Sequence, residues 1–372
     1  MKILILFGTR PEAIKMAPVV QALNQSSRLK VKICVTAQHR EMLDQVLDFF
    51  DIKPDYDLNL MKPNQNLYEL SSKILLQLKT VLEDYQPDYV LVHGDTTTTF
   101  VGALAAFYNN IRIGHVEAGL RTYNKRAPFP EEINRQLTGR LADIHFAPTP
   151  TAKHNLLSEG IKKEQILVTG NTVIDALFQA LEKLKSYSDD EIERLKKIIQ
   201  PDKKLILVTG HRRENFGLGF ENITAALKKL ALDNPNVQII YPVHLNPNVQ
   251  EPVKRILEGI DNIHLISPLK YPAFVWLMHK SFMIITDSGG IQEEAPALGK
   301  PVLVMRDTTE RPEAVEAGTV ALVGTDPVKI IEKTKEILSE DELYVQMKKA
   351  HNPYGDGKAA ERIRRFLEKI NL

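Results

Sequence analysis

Ile3-Leu4-Ile5-Leu6-Phe7-Gly8-Thr9-Arg10-Pro11-Glu12 is the stretch that decides the fold class. Five consecutive apolar residues read as a strand buried on both faces. Gly8 suits a tight turn, Thr9 and Glu12 have capping-box spacing, and Pro11 fits a first helical turn. Apolar residues then recur at helical spacing from Pro11 to Leu23. The unit is strand, glycine turn, helix. It recurs along the chain: further strands are expected at Val31–Thr36, Tyr89–His93, Ile111–His115, Ile144–Ala147 and Ile166–Thr169. A polar helical segment, Ala176–Gln200, carries no strand, and the pattern restarts at Leu205–Thr209. It continues with Val237–Val243, Ile263–Ile266, Phe282–Thr286, Val302–Met305 and Val320–Val323. Alternation of this kind predicts an α/β chain of two Rossmann-like, doubly wound parallel-sheet domains facing a cleft. The expected domains are 1–170 and 171–354, with the last helix, about 355–372, packing back on the first.

Composition narrows the function. The 372 residues carry 48 Lys+Arg against 47 Asp+Glu, a net charge of +1, which argues against a nucleic-acid binder. A 43% hydrophobic, 26% charged chain can bury two cores. The single cysteine, Cys34, lies in an apolar run and reads as a buried structural thiol. The amino terminus enters a strand without a signal-like apolar segment, and no apolar run approaches membrane-spanning length, so a cytoplasmic protein without membrane partners is expected.

Ligands of such sheets bind beyond the carboxyl ends of the strands, so the strand-end loops carry the functional reading. Arg10 sits at a helix start with Lys15 about one turn on, a cation pair beside free backbone N–H groups that suits an anion such as a diphosphate. Two neighbouring strands end in His93-Gly94-Asp95 and His115-Val116-Glu117, placing two carboxylates at one rim. Pro128-Phe129-Pro130-Glu131-Glu132-Ile133-Asn134-Arg135 starts a helix with two acids in its first turn. Glu132, near Arg135, reads as structural; Glu131 reads either as a helix-start acid or, with Asp95 and Glu117, as a candidate acid–base group.

The second half opens with Gly210-His211-Arg212-Arg213-Glu214-Asn215, dense in cations for a strand-end loop and suited to phosphate. Thr286-Asp287-Ser288-Gly289-Gly290 leads into a helix whose N-terminal amides can close on phosphate oxygens. Glu294 lies one turn into that helix, placed to accept from ribose hydroxyls, and Arg311 precedes another Pro-initiated helix. No Gly-x-Gly-x-x-Gly follows a strand, which argues against a nicotinamide dehydrogenase. Around Gly299-Lys300 a P-loop reading fails, because Glu294 holds the position of its first Gly and Pro301 follows the Lys. Asp55-Tyr56-Asp57 mimics a metal-binding Asp-x-Asp without a strand signature around it and reads as chance. No Cys/His spacing suits zinc, so neither cofactor nor metal is expected.

Taken together and in order, Gly8–Glu12, His93–Asp95, His115–Arg121, Pro130–Arg135, Gly210–Asn215 and Thr286–Gly290 closely resemble the non-hydrolysing UDP-N-acetylglucosamine 2-epimerases, from residue 1 to about 360. The resemblance implies the two-domain GT-B fold, a cytoplasmic homodimer and reversible conversion of UDP-GlcNAc to UDP-ManNAc for surface polysaccharide precursors. By its motif pattern Arg10, Lys15, Asp95, Glu117 and His211 match active-site and ligand-binding positions, and Phe274, Ser288, Gly289, Gly290, Glu294 and Arg311 match uridine-diphosphate contacts. It also makes Gln38, Arg212 and His244 candidates for a neighbouring activating UDP-GlcNAc site. Leu269 departs from the Gln that bacterial relatives often carry there, so a side-chain hydrogen bond to uracil does not carry over, and a backbone contact could replace it. A hydrolysing epimerase releasing ManNAc and UDP, and a GT-B glycosyltransferase, are the alternative activities.

Overall fold

The opening residues do form a strand, β1 (Lys2–Phe7), followed by a helix, α1 (Arg10–Asn24). The computed structural model describes residues 1–37, 40–60, 65–340 and 342–370. Two compact units emerge, Met1–Gln179 with Tyr354–Leu372, and Ala180–Pro353. The division falls inside a helix, after Gln179; the sequence reading sets it at 170/171. A helix crossing between units has no composition break to mark the crossing.

In the first unit β1 and α1 lead to β2 (Lys30–Val35), α2 (Arg40–Phe49), β3 (Tyr56–Asp57), α3 (Leu67–Tyr85), β4 (Tyr89–His93), α4 (Thr97–Tyr108) and β5 (Arg112–Val116). Then follow α5 (Glu131–Leu141), β6 (Ile144–Ala147), α6 (Pro150–Ser158), β7 (Ile166–Val168) and α7 (Thr172–Lys183), the helix that crosses into the second unit. The sheet is parallel throughout, in the order β3-β2-β1-β4-β5-β6-β7. Central strands are buried on both faces, as the continuous apolar runs require: every residue of β4 is buried, and five of the six in β1. Leu4, Leu6, Val90 and Val92 meet Ile74, Leu78 and Val101 of α3 and α4 on one face. Cys34 is buried in this core, and burial pushes its thiol up to about 12, which fits a packing role.

The second unit runs α8 (Asp190–Ile198), β8 (Lys204–Thr209), α9 (Leu218–Asp233), β9 (Val237–Pro242), α10 (Pro247–Leu257), β10 (Ile263–Ile266) and α11 (Tyr271–Lys280). It continues with β11 (Met283–Thr286), α12 (Gly289–Ala297), β12 (Val302–Val304), α13 (Pro312–Glu316), β13 (Val320–Leu322), α14 (Pro327–Leu338) and α15 (Glu342–Lys349). Its parallel sheet has the order β10-β9-β8-β11-β12-β13. Both sheets are doubly wound, as the alternation of elements predicts. Each order reverses at one place, between β1 and β4 in the first sheet and between β8 and β11 in the second, and there neighbouring loops part to opposite faces.

One strand departs from the sequence reading. Tyr56 and Asp57 form β3, paired to Cys34 and Val35 at the sheet edge, where no strand was expected. Two residues are too few to show a hydrophobic period. The acids beside it are engaged locally: Asp55 accepts from the Ile33 N–H at 2.8 Å and Asp57 pairs with Arg40.

The chain ends with α16 (Ala359–Lys369), which packs on α1 in the first unit. Its start is held by Asp175 of α7, which accepts from the Ala359 and Ala360 N–H groups at 3.1 and 2.8 Å. Burial raises the Asp175 carboxyl to about 6 from its ordinary 3.8. Between those values the folded chain binds more protons than the unfolded one, so this group's contribution to stability falls as pH rises through about 6. Asp175→Asn is expected to flatten the stability difference between pH 4.5 and 7 by about 1–3 kcal/mol, read from denaturation midpoints at the two pH values. An unchanged difference contradicts the assignment.

Candidate active site

Four of the predicted residues lie at or beside the first reversal: Arg10 and Lys15 on α1, Asp95 after β4 and Glu117 after β5. Gly8 has no alternative there: a Cβ would lie 1.9 Å from the Thr36 Oγ1 and 2.6 Å from the Thr98 Oγ1. Glu12 turns back to accept from the Gly8 and Thr9 N–H groups at 3.0 and 2.8 Å, which is the reciprocal half of the predicted capping box. Its other oxygen accepts from the Thr96 and Thr99 hydroxyls at 2.7 and 3.1 Å. Glu12 thus joins the loop after β1 to the start of α4. Burial raises its carboxyl above the ordinary range, and the hydrogen bonds oppose the shift.

Arg10 and Lys15 stand half-buried on the first turns of α1. Lys15, predicted to face an external anion, meets a carboxylate of the protein: its Nζ donates to Glu117 Oε2 at 2.5 Å. Glu117 follows β5 in a left-handed conformation, φ +61°. His93, at the end of β4, brings its Nε2 to 3.8 Å from the same Oε2. Asp95 pairs with Arg135 of α5, and its backbone carbonyl accepts from the Asn134 amide at 2.9 Å. Burial holds the Asp95 carboxyl above its usual range; Arg135 opposes that shift and the nearby Glu117 charge adds to it. Adjacent strands therefore do bring Asp95 and Glu117 together.

Glu131 opens α5, half-buried and one turn before Arg135, on the helix face that reaches Asp95. Glu132 is fully buried and structural, accepting from the Thr122 and Tyr123 N–H groups at 3.0 Å each and from Gln136 at 2.8 Å. The reading from spacing missed Arg135 as the partner of Asp95, because an Arg three residues after Glu132 looks like its local partner. It does also reach Glu132, at the longer distance of 3.4 Å.

The second unit builds its group at its own reversal. Asp287, wholly buried, accepts from the His211 and Arg212 N–H groups at 2.9 and 2.8 Å and so ties the loop after β8 to that after β11. Its other oxygen lies 3.3 Å from His211 Nδ1. Partial burial lowers the His211 pKa; Asp287 opposes this, and Arg212 and His244 reinforce it. The His244 ring stacks on His211 with centroids 5.7 Å apart. Asp287 and Glu293 had drawn no role in the sequence, where an acid next to a glycine turn and another in mid-helix give no sign of their partners.

Gly289, the first residue of α12, lies beneath two guanidinium groups. A Cβ there would be 3.9 Å from Arg212 Nη2 and 3.9 Å from Arg311 Cζ and Nη2. Arg311 is aimed by Glu293, which pairs with its Nε. Glu294 turns back toward the helix start, with Oε2 3.8 Å from where a Gly290 Cβ would stand and Ser288 Oγ 4.0 Å from it. Helix amides and two guanidinium groups can hold an anion, and a carboxylate can accept from hydroxyls beside it. Phe274 is half-buried on α11, with Leu269 half-buried in the loop ahead of it. Gln38 lies outside the described residues. Among the described residues no group of three or more His, Cys, Asp and Glu side chains could hold a metal ion, and no helix is long and apolar enough to cross a membrane.

Comparison with known proteins places the chain. A family described as UDP-N-acetylglucosamine 2-epimerase matches residues 21–368. A UDP-N-acetylglucosamine 2-epimerase of Campylobacter jejuni is 60% identical over 99% of this chain and 97% of its own. One from Escherichia coli K12 is 58% identical over the whole of both chains. The crystal structure of UDP-GlcNAc 2-epimerase from Neisseria meningitidis bound to UDP-GlcNAc superposes with a TM-score of 0.90 at 56% identity, covering 100% of each chain. The chain belongs to the UDP-N-acetylglucosamine 2-epimerase family.

Proposed function

We propose that this protein interconverts UDP-GlcNAc and UDP-ManNAc without hydrolysis, by eliminating UDP and adding it back through a glycal. The observation that carries the reading is the pair of carboxylates, Asp95 and Glu117, set at the ends of adjacent strands, each against its own cation. The C2 proton of the sugar is not next to a carbonyl, so a carboxylate cannot remove it from the intact substrate at a useful rate. The C1–O bond breaks first and its electrons leave with UDP. The oxocarbenium-like centre left at C1 acidifies C2–H, a carboxylate takes that proton, and the C–H electrons become the C1=C2 bond of the glycal. Protonation of the opposite face of C2 and return of UDP to C1 give the epimer. The sequence is redox-neutral and consumes no electron carrier.

In this reading the acids directed at the sugar belong to the first unit, and most of the groups directed at the nucleotide belong to the second. Asp95, Glu117 and Glu131 stabilise the cationic centre and move protons; Arg10, Lys15, His211 and Arg311 receive the charge of the departing UDP. The α12 amides with Ser288, Gly289 and Gly290 grip the phosphates, Glu294 the ribose, and Phe274 lies against the uracil. Gln38, Arg212 and His244 are the residues of the proposed activating site, with His244 stacked on His211 and Arg212 also standing over Gly289. The product would feed surface polysaccharide synthesis, and a homodimer is the expected assembly.

Incubation with UDP-GlcNAc in D2O without an acceptor, followed by NMR, tests the reaction. The account predicts UDP-ManNAc with deuterium at C2. Free ManNAc would indicate the hydrolysing reaction, and an unchanged spectrum would leave transfer to an acceptor as the reading.

A further inference from the structure

Glu117 has a third neighbour for which the chemistry above has no use. His93 ends the fully buried strand β4, and its side chain is 4% exposed. Neither ring nitrogen has a hydrogen-bond partner outside its own residue. Its Nε2 is nevertheless 3.8 Å from Glu117 Oε2, the oxygen that also receives Lys15. A buried nitrogen without a partner costs about 1–3 kcal/mol, so a fold that keeps one beside a reacting carboxylate calls for a use.

The use follows from the proton balance. With Glu117 ionised, Lys15 satisfies it and His93 stands idle. Burial, together with the Lys15 charge, lowers the His93 pKa to about 4, against the pull of Glu117, so the ring is neutral and one nitrogen is an acceptor. When Glu117 takes the C2 proton it becomes a donor, loses its charge, and no longer holds Lys15 by ion pairing. It then needs an acceptor for its O–H.

We propose that His93 is a positioning residue for proton transfer at C2: its Nε2 accepts the O–H of Glu117 once that carboxylate has taken the proton. The proton stays on Glu117, so no further bond is made or broken. The ring fixes the acid in one orientation while the glycal exists, and Lys15 is released toward the departing diphosphate. This inference rests on Glu117 being one of the groups that moves the proton.

Four variants test it: His93→Phe and His93→Leu remove the acceptor, His93→Gln restores one, and Glu117→Gln tests the underlying reading. Loss of the acceptor is expected to lower kcat in both directions about 10–100-fold, with KM for UDP-GlcNAc and the affinity for UDP unchanged. The primary isotope effect from C2-deuterated UDP-GlcNAc rises in these variants, and Gln recovers most of the rate. Wild-type kcat in Phe or Leu, or equal losses in Gln and Leu, overturns the role of His93 while an inactive Glu117→Gln leaves the reaction scheme standing. An active Glu117→Gln removes the basis of both. Leu serves where the larger Phe ring prevents folding.

Discussion

Glu117→Gln and Asp95→Asn are expected to lower kcat by about 10²–10⁴-fold each, the usual cost of removing one positioned acid–base group, with the affinity for UDP kept within a fewfold. The split follows from where these groups lie. Both belong to the first unit, whereas the cations and helix amides that would hold the nucleotide belong mainly to the second. Each amide keeps the shape of the acid it replaces and loses its negative charge and its ability to take a proton. Glu117→Gln also leaves Lys15 facing a neutral group at 2.5 Å. Asp95 adds a pH signature. Burial raises its carboxyl above the ordinary range, so it protonates early as pH falls. The acid limb of kcat/KM should therefore lie above ordinary carboxylate values, with the rate falling as pH falls through it. Asp95→Asn should remove that limb along with the rate. Near-wild-type kcat in both variants would end the assignment of proton transfer to this pair.

Glu12→Ala is expected to destabilise the first unit by about 3–5 kcal/mol and to abolish turnover, although Glu12 touches no substrate in the scheme. Its carboxyl, 2% exposed, is the common acceptor of two backbone N–H groups and two threonine hydroxyls from the loops on either side of the reversal. Alanine leaves a cavity and two unsatisfied amides. Glu12→Gln should be much milder. Its carbonyl can serve the two amides, and its NH2 can face hydroxyls that rotate to accept. Calorimetry of both variants checks this: a small shift for Ala, or equal shifts for Ala and Gln, would show that the junction does not depend on the acceptor.

Most strands could be placed from the chain alone because buried parallel strands leave continuous apolar runs ending in glycine or polar loops. β3 could not, since a two-residue edge strand carries no period. The same logic governs the site. Residues that stand at strand ends, Asp95, Glu117, His211 and Ser288 among them, are marked by that position. Their partners are not. Arg135 looks like the mate of its helical neighbour Glu132, Asp287 like an ordinary turn acid, and Glu293 like a helix-surface acid, though it is buried against Arg311. Such pairings cross between elements far apart in the chain, and only the fold reveals them. Lys15 shows the converse. Its helical position suggests an outside anion, and the structure adds an internal partner, Glu117.

The central claim is that the carboxylates of Asp95 and Glu117, each paired with its own cation, act on C1 and C2 of UDP-GlcNAc. A crystal structure of the protein with UDP-GlcNAc bound tests it most directly. The account predicts C1 and C2 of the sugar against the Asp95, Glu117 and Glu131 carboxylates. A bound sugar that lies away from all three acids would contradict it.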